Sequence, residues 1–113
     1  MEISFSTVRL AEICNNRAET VRSWGAANGS LVRRRLSQLA GVSNLELIAT
    51  IPGARCHPLA GDRAGQFAVD LHLPFRLIFA PDIEPLPRSD DGLIDRALVT
   101  KIRIIEVTDY HGD

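Results

Sequence analysis

A chain of 113 residues, 45% of them hydrophobic, can bury one core without disulfides or metal, and no apolar run approaches the roughly 18 residues a membrane span needs. A formal net charge of −1 and a sequence pI near 6.3 exclude a uniformly basic nucleic-acid-binding surface. Twelve of the thirteen cations are nevertheless arginine, the side chain suited to forked phosphate contacts, and much of the acid sits in one segment, Asp82 to Asp95, which leaves room for a locally basic face.

Glu2 to Phe5 reads as a short strand with Ile3 and Phe5 facing inward, and Ser6 as the N-cap of a helix in which Val8, Ala11 and Cys14 fall at helical spacing before the Asn15-Asn16 break. Asn16 with Glu19 forms a capping-box pattern, Ala18, Val21 and Trp24 follow at spacings of three, and Gly25 suits a position just past a helix end. Asn28-Gly29-Ser30 punctuates again, with Ser30 capping an amphipathic helix from Leu31 to Gly41. Its apolar half holds Leu31, Val32, Leu36, Leu39 and Ala40, opposite Arg33 and Arg34. Arg35 falls inside the apolar arc, either as a stem along the core edge with its head in water or as a phosphate contact. A short helix from Asn44 to Ala49 ends at Pro52-Gly53.

From Gly53 to Ala80 two turn signals, Gly61-Asp62-Arg63-Ala64-Gly65 and Leu73-Pro74, divide alternating runs into a three-strand meander. In its middle strand Phe67, Val69, Leu71 and Leu73 share a core face, while Gln66, Ala68, Asp70 and His72 share an open face. Arg55, His57 and Leu59 share a face of the first strand, and in the third Phe75, Leu77 and Phe79 oppose Arg76 and Ile78, so that two arginines and a histidine gather on the open face. Arg76 also stands to pair with Asp70 across the hairpin. Pro81 to Thr100, with three prolines and four aspartates, reads as a long connection with one helical turn near Leu93 to Ala97. The last strand, Thr100 to Thr108, breaks its alternation at Ile104-Ile105, which implies a bulge or a centre buried on both faces. Cys14 and Cys56 form no CxxC pair and read as reduced, partly buried thiols, and His72 as a solvated side chain. The first residues carry no basic leader pattern, so the expected location is the cytoplasm. The elements together predict an α+β layer of N-terminal helices on a small, twisted, mainly antiparallel sheet.

The string Cys56-His57-Pro58-Leu59-Ala60-Gly61-Asp62-Arg63, then Gly65-Gln66, Phe75-Arg76-Leu77-Ile78-Phe79 and a terminal Asp109-Tyr110-His111, resembles HigB-type toxins of the RelE/ParE superfamily, the toxin halves of bacterial type II toxin–antitoxin pairs. The resemblance is dense from Gly53 to Phe79 and from Ile102 to His111, and architectural over the first fifty or so residues. It implies one RelE-like domain over residues 1–113 with an inserted loop at about 81–99. It further implies a ribosome-dependent mRNA endonuclease that uses the ribose 2′-oxygen without metal or other cofactor. His57, Asp109, Tyr110 and His111 match catalytic positions, and Arg76 matches a phosphate-holding strand arginine. Ala60 stands where the family often has a lysine, and Arg55, Arg63 or Lys101 are the cations available to replace it. The implied partners are a cognate antitoxin, of the HigA helix-turn-helix type, and the ribosome with its mRNA, with no membrane. ParE relatives share the fold but poison DNA gyrase without cleaving anything, and an inert antitoxin-binding relative is a third alternative.

Overall fold

The computed structural model describes residues 1–109. Strand β1 (Glu2–Phe5) leads into helix α1 (Val8–Cys14) and helix α2 (Arg17–Gly41), followed by a 3₁₀ segment, Leu45–Thr50. Then come β2 (His57–Pro58), a 3₁₀ turn at Gly61–Arg63, β3 (Phe67–Asp70), β4 (Phe75–Pro81), a 3₁₀ turn at Arg96–Leu98, and β5 (Lys101–Asp109). The five strands form one sheet in the order β1-β5-β4-β3-β2. β1 runs parallel to β5 and the other neighbours are antiparallel, which gives the α+β architecture expected of the sequence. Among the described residues no helix is long and apolar enough to cross a membrane.

The helix boundaries follow their capping chemistry. Asn16 caps α2 by accepting from the Glu19 N–H at 3.1 Å, as its spacing implied. The cap of α1 is Thr7, whose hydroxyl accepts from the Leu10 N–H at 3.0 Å, and not Ser6. Ser6 is still occupied by the sheet: its N–H bonds the Ile104 carbonyl at 2.8 Å and its hydroxyl bonds that of Ile105 at 2.8 Å. Gly25, at φ 83°, interrupts α2 with a kink. Asn28-Gly29-Ser30 is no break but lies within the helix, because Gly29 serves close packing. A Cβ there would sit 3.0 Å from the backbone C and O of buried Thr20.

One sheet face carries the core. Val32 and Leu39 of α2 cluster with Phe67, Val69, Leu77, Phe79, Ile102 and Ile104, all essentially sealed from water. Each such side chain contributes roughly 1.5–3 kcal/mol relative to exposure. The rings of Phe67 and Phe79 stack with centroids 5.9 Å apart. The opposite face is not purely polar, as alternation had suggested: all four residues of β3 are buried. Leu59 folds over Ala68 and Ile78, and Ile105 packs against them, so a small apolar floor underlies that face. Leu73, expected in the core, is 56% exposed because the chain leaves the strand after Asp70 and turns back at Leu71–Phe75. The bulge implied at Ile104-Ile105 is present: Ile78 lies opposite Glu106 and Phe79 opposite Ile104, leaving Ile105 unmatched.

Candidate functional site

Ladder partners point to the same side of a sheet, so the register defines which residues share the face away from the helices. One row runs His57, Ala68, Ile78, Glu106, and the next Asp70, Arg76, Thr108. Asp70 is the hub. Its buried carboxylate meets the Arg76 Nε at 3.1 Å through one oxygen and the Arg55 Nε at 3.5 Å through the other. Arg76 is largely covered and Arg55 largely exposed.

Arg55 has a left-handed backbone, φ 49°, a conformation that costs a non-glycine residue roughly 1–2 kcal/mol. In that turn the Arg55 carbonyl lies 2.9 Å from the His57 Nδ1. A carbonyl only accepts, so Nδ1 carries the proton and Nε2 keeps its lone pair in the neutral ring. The first strand is shorter than expected, since Gly53 and Arg55 both take positive φ and Pro58 has no N–H for a ladder.

Arg35 takes neither of the roles foreseen for it. It is buried, donating from Nε to the Asp70 carbonyl at 2.8 Å, from one terminal nitrogen to the Gly53 carbonyl at 3.0 Å, and from the other to the Gln38 side chain at 2.9 Å. Burial, then the neighbouring Arg34, lowers its pKa, and Asp70 opposes that shift. The Asp70 N–H in turn donates to the Ala54 carbonyl at 2.7 Å. Thus α2 clamps both the strand bearing Asp70 and the turn bearing Arg55.

The remaining candidates are spread out. Arg63 reaches the same face, where it pairs with Glu106 at 2.6 Å and with Gln66 at 3.0 Å. Lys101 lies at the far end of β5 beside Glu2, at 3.6 Å, roughly 27 Å along the strand from Asp109 at the usual rise per residue. It does not join the cluster. Asp109 is exposed at the end of β5, opposite Phe75 and one residue beyond Thr108, which faces Arg76. Tyr110 and His111 lie outside the described residues. His72 is exposed, and its backbone N–H bonds the Asn28 side chain at 2.9 Å.

Burial pushes the thiols of Cys14 and Cys56 up to about 11, with Arg96 opposing the shift at Cys56, so neither is a ready nucleophile. Among the described residues no group of three or more His, Cys, Asp or Glu could hold a metal ion. A cleft of about 590 Å³, lined in part by Pro58, Phe67, Arg88, Leu93 and Arg96, shares no residue with the Asp70 cluster. Arg96 lies over the Phe67 ring there, 5.0 Å from its centroid. Sequence reasoning missed the roles of Arg35, Glu106 and the Arg55 carbonyl. The Asp70–Arg76 pair was legible from their positions on either side of the Leu73-Pro74 corner.

Helices lie on one face of a mixed five-strand sheet, with β1 as an edge strand running parallel beside the C-terminal strand β5. Among solved structures the chain is similar to the YoeB/ParE toxin from Agrobacterium tumefaciens, with a TM-score of 0.58 and 10% identity over 98% of this chain and 100% of that one. At that identity the likeness is one of fold. No family model and no curated protein sequence matches the chain.

Proposed function

We propose that this protein is the toxin of a type II toxin–antitoxin pair, of the HigB kind, and cuts mRNA on the ribosome through the ribose 2′-oxygen. The observation that carries the reading is the pair of arginines, Arg55 and Arg76, held on the Asp70 carboxylate on the face away from the helices, with His57 on the same face bonded to the Arg55 carbonyl. Cleavage by the 2′-oxygen needs a base for the hydroxyl proton, an acid for the departing 5′-oxygen and cationic donors for the phosphoryl oxygens. His57 takes the first role through Nε2, the nitrogen its Arg55 contact leaves over, and His111 the second. Asp109 orients a histidine, Tyr110 stacks on a base, and Arg76 with Arg55 stabilises the phosphate. The partner is a HigA-type antitoxin with a helix-turn-helix domain, and the site of action is the ribosome in the cytoplasm.

A second reading, a ParE-like gyrase poison, is favoured by one feature: Arg55, Arg63 and Arg76 each face a carboxylate, and Ala60 supplies no further cation. Expression in bacteria with mapping of mRNA 5′ ends separates the two. Cuts within translated frames, lost in His57→Ala and Arg76→Ala, are the expected outcome. Intact mRNA with a DNA-damage response would replace the nuclease by the gyrase poison.

A further inference from the structure

Resting on the reading of this face as an RNA site, we infer that Asp70 is its positioning residue: the carboxylate fixes Arg55 and Arg76 as one preformed receptor for a phosphodiester. Arg55 precedes β2 and Arg76 lies on β4, with β3 between them, so a shared face alone does not bring the two side chains together. Asp70 joins them by giving one oxygen to each, in both cases to Nε.

Asp70 is itself anchored more firmly than either arginine. It stands on an inner strand directly opposite Arg76, its N–H is bonded to Ala54 and its carbonyl to Arg35, and only 5% of its surface is exposed. Arg35 also holds the Gly53 carbonyl, two residues before Arg55, so the carboxylate and the turn it must reach are fixed from one guanidinium. The carboxylate side chain is 7% exposed against 73% for Arg55, so an incoming anion meets arginine with the acid behind it. Two guanidinium groups share this one carboxylate on a chain of net charge −1. An arginine held in place loses less side-chain freedom on binding than a free one, and this is where affinity is gained.

Charge and geometry predict opposite signs, which makes the inference testable. Asp70→Asn removes a negative charge beside two arginines, so a purely electrostatic acid implies tighter RNA binding. Positioning implies weaker binding, by about tenfold for the loss of one charge-assisted contact. The test measures anisotropy of a fluorescent single-stranded RNA oligonucleotide on the full chain as wild type, Asp70→Asn, Asp70→Glu and Arg76→Ala, with NMR spectra of the arginine Nε–Hε groups of each. Asp70→Glu keeps the charge, displaces the carboxylate by one methylene, and guards against a misfolded Asn variant.

The expected result is weaker binding in both Asp70 variants, with the Arg76 Nε–Hε signal moved to the position of solvent-exposed arginines. Equal or tighter binding in both would overturn the inference. If wild type binds RNA no better than Arg76→Ala, the RNA reading of the face fails. The spectra still decide whether Asp70 fixes Arg76, and an unmoved signal would overturn that as well.

Discussion

Replacing Arg35 by methionine keeps the apolar stem in its place between α2 and the sheet and deletes only the guanidinium. Two backbone carbonyls, those of Asp70 and Gly53, then lose charged donors at 2.8 and 3.0 Å. Each such bond contributes about 1.5–3 kcal/mol, and a buried carbonyl left unpaired carries its own desolvation cost. The relief of no longer burying a cation offsets part of this. A net loss of about 2–4 kcal/mol follows, seen as a urea midpoint lowered by roughly 1–2 M for a domain of this size. Arg34→Met is the control, since Arg34 is exposed and makes no ion pair among the described residues; it should stay within about 0.5 kcal/mol of wild type. Equal effects of the two substitutions, or a loss under about 1 kcal/mol for Arg35→Met, would refute the claim that the guanidinium ties α2 to the sheet.

Gly29→Ala should destabilise by about 1–2 kcal/mol despite the better helix propensity of alanine, because its Cβ would meet Thr20 backbone at 3.0 Å; Gly41→Ala, with nothing within 4 Å, should stabilise by up to about 1 kcal/mol, both read from urea midpoints. Both thiols rise from an ordinary 9.0 to about 11, so the folded state keeps them protonated where the unfolded chain ionises. Their contribution to stability is then complete below pH 9 and is lost as pH rises towards 11, a decline that a Cys14→Ala, Cys56→Ala double variant should lack in urea titrations at stepped pH. His57→Ala should abolish growth arrest while leaving antitoxin binding intact, with a rate loss of roughly 10²–10⁴-fold in purified assays.

The parts of the fold legible in sequence are those fixed by local chemistry. The Asn16 cap, the Gly25 interruption and the β5 bulge all follow from residues within a few positions of one another. Gly29 was misread because a glycine in a helix looks like a breaker until the partner it admits, Thr20, is known from the packing. Alternation along β3 assigned its faces correctly but not their burial, since Leu59 and Ile105 reach that floor from other elements. At the site, Asp70 and Arg76 were legible as a cross-strand pair. The Arg55 carbonyl was not, because its contact with His57 depends on a single positive φ. Arg35 was equally hidden: its partners are backbone carbonyls, which every residue carries.

Nucleophilic attack by the ribose 2′-oxygen is tested directly by a programmed ribosome carrying an mRNA with one 2′-deoxynucleotide at the mapped cut. Cleavage of the all-ribose message to a 2′,3′-cyclic phosphate and a 5′-hydroxyl end, abolished by that single substitution, is the predicted result. Undiminished cutting of the deoxy-substituted message at the same bond, or ends bearing a 5′-phosphate, would contradict it.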